Sequence, residues 1–143
     1  MVRKTQATVA DTPASPLAVT IDVSGHRLIG DEPPNRGGAD FGPSPYDLLT
    51  ASLGACTAMT VRWYALKMGW PLEHVHVEVE HDKRIQAGHP EVIDAFRKRV
   101  AITGPDLTDE QRQKLFEVAG KCPVHRTLTG TIEVETIDDR LAV

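Results

Sequence analysis

Only two cysteines, Cys56 and Cys122, occur in 143 residues, and no long apolar run accompanies them. The longest charge-free stretch, Leu48 to Val61, is too short to cross a bilayer and is rich in small residues. No apolar run of the signal-peptide kind follows Met1-Val2-Arg3-Lys4-Thr5-Gln6. Positive charge is not in excess either. The formal net charge of −4 offers nucleic acid or anionic lipid no general attraction. Internal repeats and low-complexity segments are absent. These absences point to a cytoplasmic chain with no nucleic-acid or membrane partner, where thiols stay reduced unless chemistry uses them.

What is there is enough for one folded domain over residues 1–143, with 41% hydrophobic and 25% charged residues. Thr5 to Asp11 and Leu17 to Val23 read as strands, and the Ser24-Gly25 turn predicts that His26 to Ile29 returns as a hairpin partner. Gly30 to Gly42 is then a long loop carrying Pro33-Pro34 and Arg36, a length that in a compact domain is functional or mobile.

Ser44, Pro45 and Asp47 form a helix start: a cap, a first-turn proline and an acid in capping-box spacing. The helix is expected from Pro45 to Lys67 or Met68, ending at Gly69 with Pro71 beyond. At 1.5 Å per residue it is roughly 35 Å long, close to the ~37 Å diameter of a compact chain of this size. Between Leu48 and Val61 it has no charged residue on any face, which calls for burial all round that one small domain hardly provides, so a homodimer sharing this core is expected.

Val75, Val77 and Val79 alternate with polar residues in a strand to about Ile85, and Val92 to Ile102 supplies another. Thr108 and Gln111 open a second helix that breaks at Gly120, Cys122-Pro123 starts a short helical turn to about Leu128, and Thr131 to Ile137 alternates as a closing strand. The expected class is α+β, with antiparallel sheet and segregated helices.

The two thiols have opposite local settings. Cys122 stands where it caps a helix whose first residue is Pro123, so free N–H groups face its sulfur, and Lys121 and His125 add positive potential. A small buried residue at a helix start is the alternative. Cys56, mid-helix among apolar residues, reads by itself as inert core and becomes reactive only if a cation reaches it. Arg36 is the candidate cation, against a solvated loop arginine, and Asp47 can cap its helix or anchor that arginine. Cys56, Cys122 and His125 offer zinc-like ligands, but no second Cys/His pair completes the usual pattern, so no metal or other cofactor is expected.

Gly42-Pro43-Ser44-Pro45-Tyr46-Asp47-Leu48-Leu49-Thr50-Ala51-Ser52-Leu53-Gly54-Ala55-Cys56-Thr57-Ala58-Met59-Thr60 resembles the first-cysteine helix of the OsmC/Ohr family. Cys122-Pro123-Val124-His125 resembles its second-cysteine motif. The resemblance implies an intertwined α+β homodimer and thiol-dependent reduction of organic hydroperoxides, with Cys56 attacking and Cys122 resolving as a disulfide. It reverses the local ranking of the two thiols. It also implies Arg36 as the stabiliser of the thiolate, Asp47 as the holder of that arginine, and an external dithiol as reductant. Tyr46, Leu49, Leu53 and Met59 are the expected substrate lining. One departure stands out: Tyr46 occupies the position, ten residues before the first cysteine, where family peroxidases carry a glutamate. A non-enzymatic redox-sensing or small-molecule-binding protein of the same fold is therefore the second expectation.

Overall fold

The computed structural model describes residues 3–139. The chain forms two compact units, one from the chain up to Ala51 with His81–Phe96, the other from Ser52–Glu80 with the chain from Arg97 onward.

In the first unit, β1 (Ala7–Asp11), β2 (Val19–Val23) and β3 (His26–Gly30) form an antiparallel three-stranded sheet in chain order. The hairpin register pairs Val23 with His26 and Val19 with Gly30. Ser24 and Gly25, with φ of 49° and 80°, close it, both in the left-handed conformation a two-residue hairpin turn requires.

The loop after β3 is tied down by one buried carboxylate. Asp31 accepts hydrogen bonds from the N–H groups of Glu32 (2.8 Å), Ala39 (3.1 Å) and Phe41 (3.2 Å) and from the Ser15 hydroxyl (3.2 Å). Burial pushes its pKa up, but these donors outweigh burial and hold it below the ordinary value. A Cβ on Gly38 would collide with the Glu32 carbonyl, so only glycine lets the loop close around Asp31. Within it, Pro34–Arg36 form a single 3-10 turn.

α1 runs Pro45–Met68, as its caps predict. Ser44 and Asp47 exchange hydrogen bonds, the Asp47 carboxylate accepting from Ser44 N–H (2.9 Å) and the Ser44 hydroxyl from Asp47 N–H (3.1 Å). At the other end Gly69 (φ 66°) turns left-handed, while its N–H reaches the Leu66 carbonyl and that of Trp70 the Ala65 carbonyl. That is the two-bond ending expected of a C′ glycine. Only one stripe of α1 is buried within the chain: Leu53, Thr57, Val61 and Ala65, each one turn from the next.

β4 (His74–Ile85) and β5 (Val92–Thr103) form a second, two-stranded sheet. α2 (Asp109–Ala119) opens on the reciprocal Thr108–Gln111 capping box, and α3 (Pro123–Thr129) on Cys122. The core of the second unit gathers Val61, Ala65, Leu72, Leu107, Leu115 and Ala119. Two arginines satisfy backbone carbonyls around it, Arg62 those of Leu72 and Glu73, Arg112 those of Ile102 and Gly104.

One element departs from expectation. Residues 131–139 form no strand, although Ile132, Val134 and Ile137 alternate as a strand would require. A period-two pattern becomes a strand only beside a sheet edge with N–H and C=O groups to share. Among the described residues, no β-strand pairs with this segment, and Val134 is left 87% exposed.

Candidate active site: a dithiol on the first turn of a short helix

Cys56 and Cys122 are both free thiols, and the fold brings them to the same place. The first turn of α3 serves both. Val124 N–H points at the Cys56 sulfur (3.5 Å) and His125 N–H at the Cys122 sulfur (3.4 Å). Pro123 at the first helical position has no N–H of its own, so the two following donors remain for sulfur. The Cys56 thiol is near enough to Cys122 to help lower the Cys122 pKa. Cys56 is half-buried, whereas Cys122 is fully enclosed. Any solute reaching this site meets Cys56 first.

The chemistry beneath the sulfurs is polar, in contrast to the apolar bed that the sequence around Cys56 suggests. Thr57, itself fully buried, places its hydroxyl 3.3 Å from the Cys122 sulfur and 2.8 Å from the Leu53 carbonyl. Lys98 of β5 donates from its ammonium to that hydroxyl (3.2 Å) and to the Ala119 carbonyl (2.6 Å). Burial pushes the Cys122 thiol up, but the Thr57 hydroxyl, His125 N–H, Lys98 charge and Cys56 thiol outweigh it, and its pKa is lowered. Burial in turn lowers the Lys98 pKa, opposed by charge on the two sulfurs. The His125 imidazole is held below its usual range by burial and by Lys98, and its Nδ1 is enclosed without a partner among the described residues. The positive potential at Cys122 thus comes from Lys98, where the local sequence suggests Lys121 and His125.

Neither Thr57 nor Lys98 carries a sequence signal for this role. Thr57 adjoins Cys56, but a mid-helix threonine ordinarily bonds its own i−4 carbonyl, and Lys98 sits in a strand whose alternating charges read as a solvated face.

Arg36, Tyr46 and Asp47 belong to the first unit, where they line an open pocket of about 460 Å³ with Glu32, His81 and Lys83. Asp47 is engaged with Ser44, which lowers its pKa, and among the described residues no ion pair joins it to Arg36. Tyr46 stacks on His81, whose Nε2 lies 2.8 Å from Asp94. Lys83 hydrogen-bonds the same carboxylate and sits over the Tyr46 ring. The remaining expected lining residues are dispersed in character. Leu49 is half-buried, Leu53 is buried in the α1 stripe, and Met59 is 70% exposed. Among the described residues no cluster of three His, Cys, Asp or Glu side chains is placed to hold a metal ion, and no helix is long and apolar enough to cross a membrane.

Residues 37–137 match the model of a family described as OsmC-like protein. No curated protein matches the chain. Solved structures share its fold, and three of them are representative. An OsmC like protein from Mycoplasma pneumoniae is 19% identical with a TM-score of 0.72, the match covering 91% of this chain and 90% of that one. An organic hydroperoxide resistance protein OsmC from Legionella pneumophila is 20% identical with a TM-score of 0.67, covering 91% and 92%. An organic hydroperoxide resistance protein from Elizabethkingia anophelis is also 20% identical at a TM-score of 0.67, covering 93% of each. At these identities the likeness is one of fold. With the family match spanning both cysteines and most of the sequence, this chain belongs to the OsmC-like protein family.

Proposed function

We propose that the chain is a thiol-dependent peroxidase acting on organic hydroperoxides. The observation that carries this reading is the meeting of two free thiols on the first turn of α3, one half-buried and one enclosed. The Cys56 sulfur attacks the distal oxygen of the peroxide and becomes a sulfenic acid, releasing an alcohol. Cys122 condenses with it, water leaves, and the disulfide is returned to two thiols by an external dithiol. The organic hydroperoxide resistance proteins among the structural relatives support this chemistry.

From the family resemblance, Arg36 stabilises the thiolate and the developing oxyanion, and Asp47 holds the arginine. Tyr46, Leu49, Leu53 and Met59 favour alkyl over hydrogen peroxide. The protein works as a cytoplasmic homodimer. In support, Met59, Trp63 and Leu66 stand 70%, 58% and 72% exposed along one face of α1, an apolar stripe that a second copy would cover.

The test is to mix the reduced protein with one equivalent of cumene hydroperoxide. Rapid loss of two thiols and an intramolecular Cys56–Cys122 bond are expected. Inert thiols would favour the second reading, a redox-sensing or small-molecule-binding protein. That reading rests on Tyr46, whose ring is stacked on His81 where family peroxidases present a carboxylate.

A further inference from the structure

We propose that Lys98, acting through Thr57, keeps Cys122 as a thiolate in the reduced protein, so that resolution starts from a charged sulfur. The resolving role rests on the peroxidase reading; the charge state of Cys122 does not.

The argument begins with hydrogen-bond capacity. The Thr57 hydroxyl has one proton and two acceptor positions, against three neighbours: the Leu53 carbonyl, the Lys98 ammonium and the Cys122 sulfur. When Cys122 is a thiol, its S–H and Lys98 both donate to the oxygen, and the hydroxyl proton goes to Leu53. When Cys122 is a thiolate, the hydroxyl turns its proton to sulfur and still accepts from Lys98. The Leu53 carbonyl then keeps its place in the helical ladder of α1. Both states leave the buried groups satisfied, so ionising Cys122 strands no polar atom.

Charge decides between the two states. The titratable groups around Cys122 are Cys56 on α1, Lys98 on β5 and His125 on α3. His125 is disfavoured as a cation by burial and by Lys98 itself. Among the described residues Lys98 pairs with no carboxylate. A half-buried ammonium without an acid partner leaves the nearby sulfurs as the anion that answers it. The enclosed Cys122 takes that charge, with Thr57 and His125 N–H as its donors.

The consequence falls on the second chemical step. Cys56 attacks as its thiolate: the O–O bond breaks, the distal oxygen stays on sulfur with its hydrogen as S–OH, and the other oxygen leaves as alkoxide that takes a proton from solvent to become the alcohol. The Cys122 thiolate then attacks the Cys56 sulfur. An S–S bond forms, the S–O bond breaks, and hydroxide departs, taking a proton from solvent to become water. A neutral Cys122 would have to lose its proton first. Lys98 touches neither peroxide nor the oxidised sulfur in this scheme; it is a positioning residue.

Two measurements test the proposal. In a Cys56→Ser background the thiolate absorbance at 240 nm is followed against pH, with the Cys56→Ser/Cys122→Ser double variant subtracted. An apparent pKa below neutral pH, and so well below the free-cysteine value of about 8.5, is expected, and a midpoint above neutral pH overturns the proposal. Lys98→Met should raise it by about one unit, moving the midpoint of the absorbance titration up by that amount, while Lys98→Arg retains most of the effect. Thr57→Val, which keeps the lysine but removes the link, should raise it too and covers a failure of Lys98→Met to fold. A titration unchanged by both substitutions overturns the proposal. The second measurement adds cumene hydroperoxide and dimedone to the two-cysteine protein and to its Lys98→Met form. More trapped Cys56 sulfenic acid in the variant is expected, and equal trapping overturns the resolving role. A wild-type protein inert to peroxide would sink the peroxidase reading, while the absorbance titration still decides the charge on Cys122.

Discussion

The rings of Tyr46 and His81 lie nearly parallel, 6° apart in plane with centroids 4.8 Å from each other. His81 also touches Phe96, and its Nε2 is anchored by Asp94. Tyr46 is thus one face of an aromatic stack. Tyr46→Ala should cost about 0.5–1.5 kcal/mol beyond the loss of buried area, and Tyr46→Phe much less. Urea denaturation of both variants, combined with His81→Ala in a double-mutant cycle, measures the coupling.

Asp31 carries a pH-dependent share of stability. Its pKa is lowered from the ordinary 3.8, so the folded chain holds it ionised more readily than the unfolded chain does. That contribution is fully present above the unfolded value and is lost as pH falls through the folded value below it. Asp31→Asn puts an amide donor against N–H donors and should destabilise at pH 7. The gap between wild type and variant should stay level down to about pH 5 and narrow below 3.8. Urea midpoints across that range check it; a gap that widens on acidification would contradict the assignment.

Leu115 is fully enclosed in the core of the second unit. Leu115→Ala should lower stability by about 2–5 kcal/mol through lost transfer energy and the cavity left behind. Chemical denaturation measures it directly.

The two cysteines should fail differently under peroxide. Cys122→Ser is expected to stop after one turnover with a Cys56 sulfenic acid that dimedone traps. Cys56→Ser is expected to consume no peroxide, because the enclosed Cys122 does not meet it. Mass spectrometry of the trapped adducts separates the two outcomes.

The exposed apolar face of α1 bears on assembly. Met59→Glu with Leu66→Glu should shift the protein from dimer to monomer in sedimentation equilibrium. A monomeric wild type would remove the reason given for that stripe.

Local chemistry was legible from the residues alone. The bounds of α1 follow from Ser44, Pro45 and Asp47 at one end and Gly69 at the other, because caps act over three or four residues. The Ser24-Gly25 hairpin and the Cys122 cap are readable for the same reason. The pattern at Ile132, Val134 and Ile137 misleads because alternation states which faces differ, not whether an edge is there to pair.

Tertiary structure alone decided the surroundings of the sulfurs and the closing of the loop. Lys98 meets Thr57 across 41 residues, and Thr57 meets Cys122 across 65. Asp31 gathers donors from as far away as Ser15. Periodicity places a side chain on a face but cannot say which distant group waits there. A lysine among alternating strand charges and a threonine one turn after Leu53 become a thiolate's neighbours only through packing. Burial then makes that neighbourhood count, since the same charges in water would be screened.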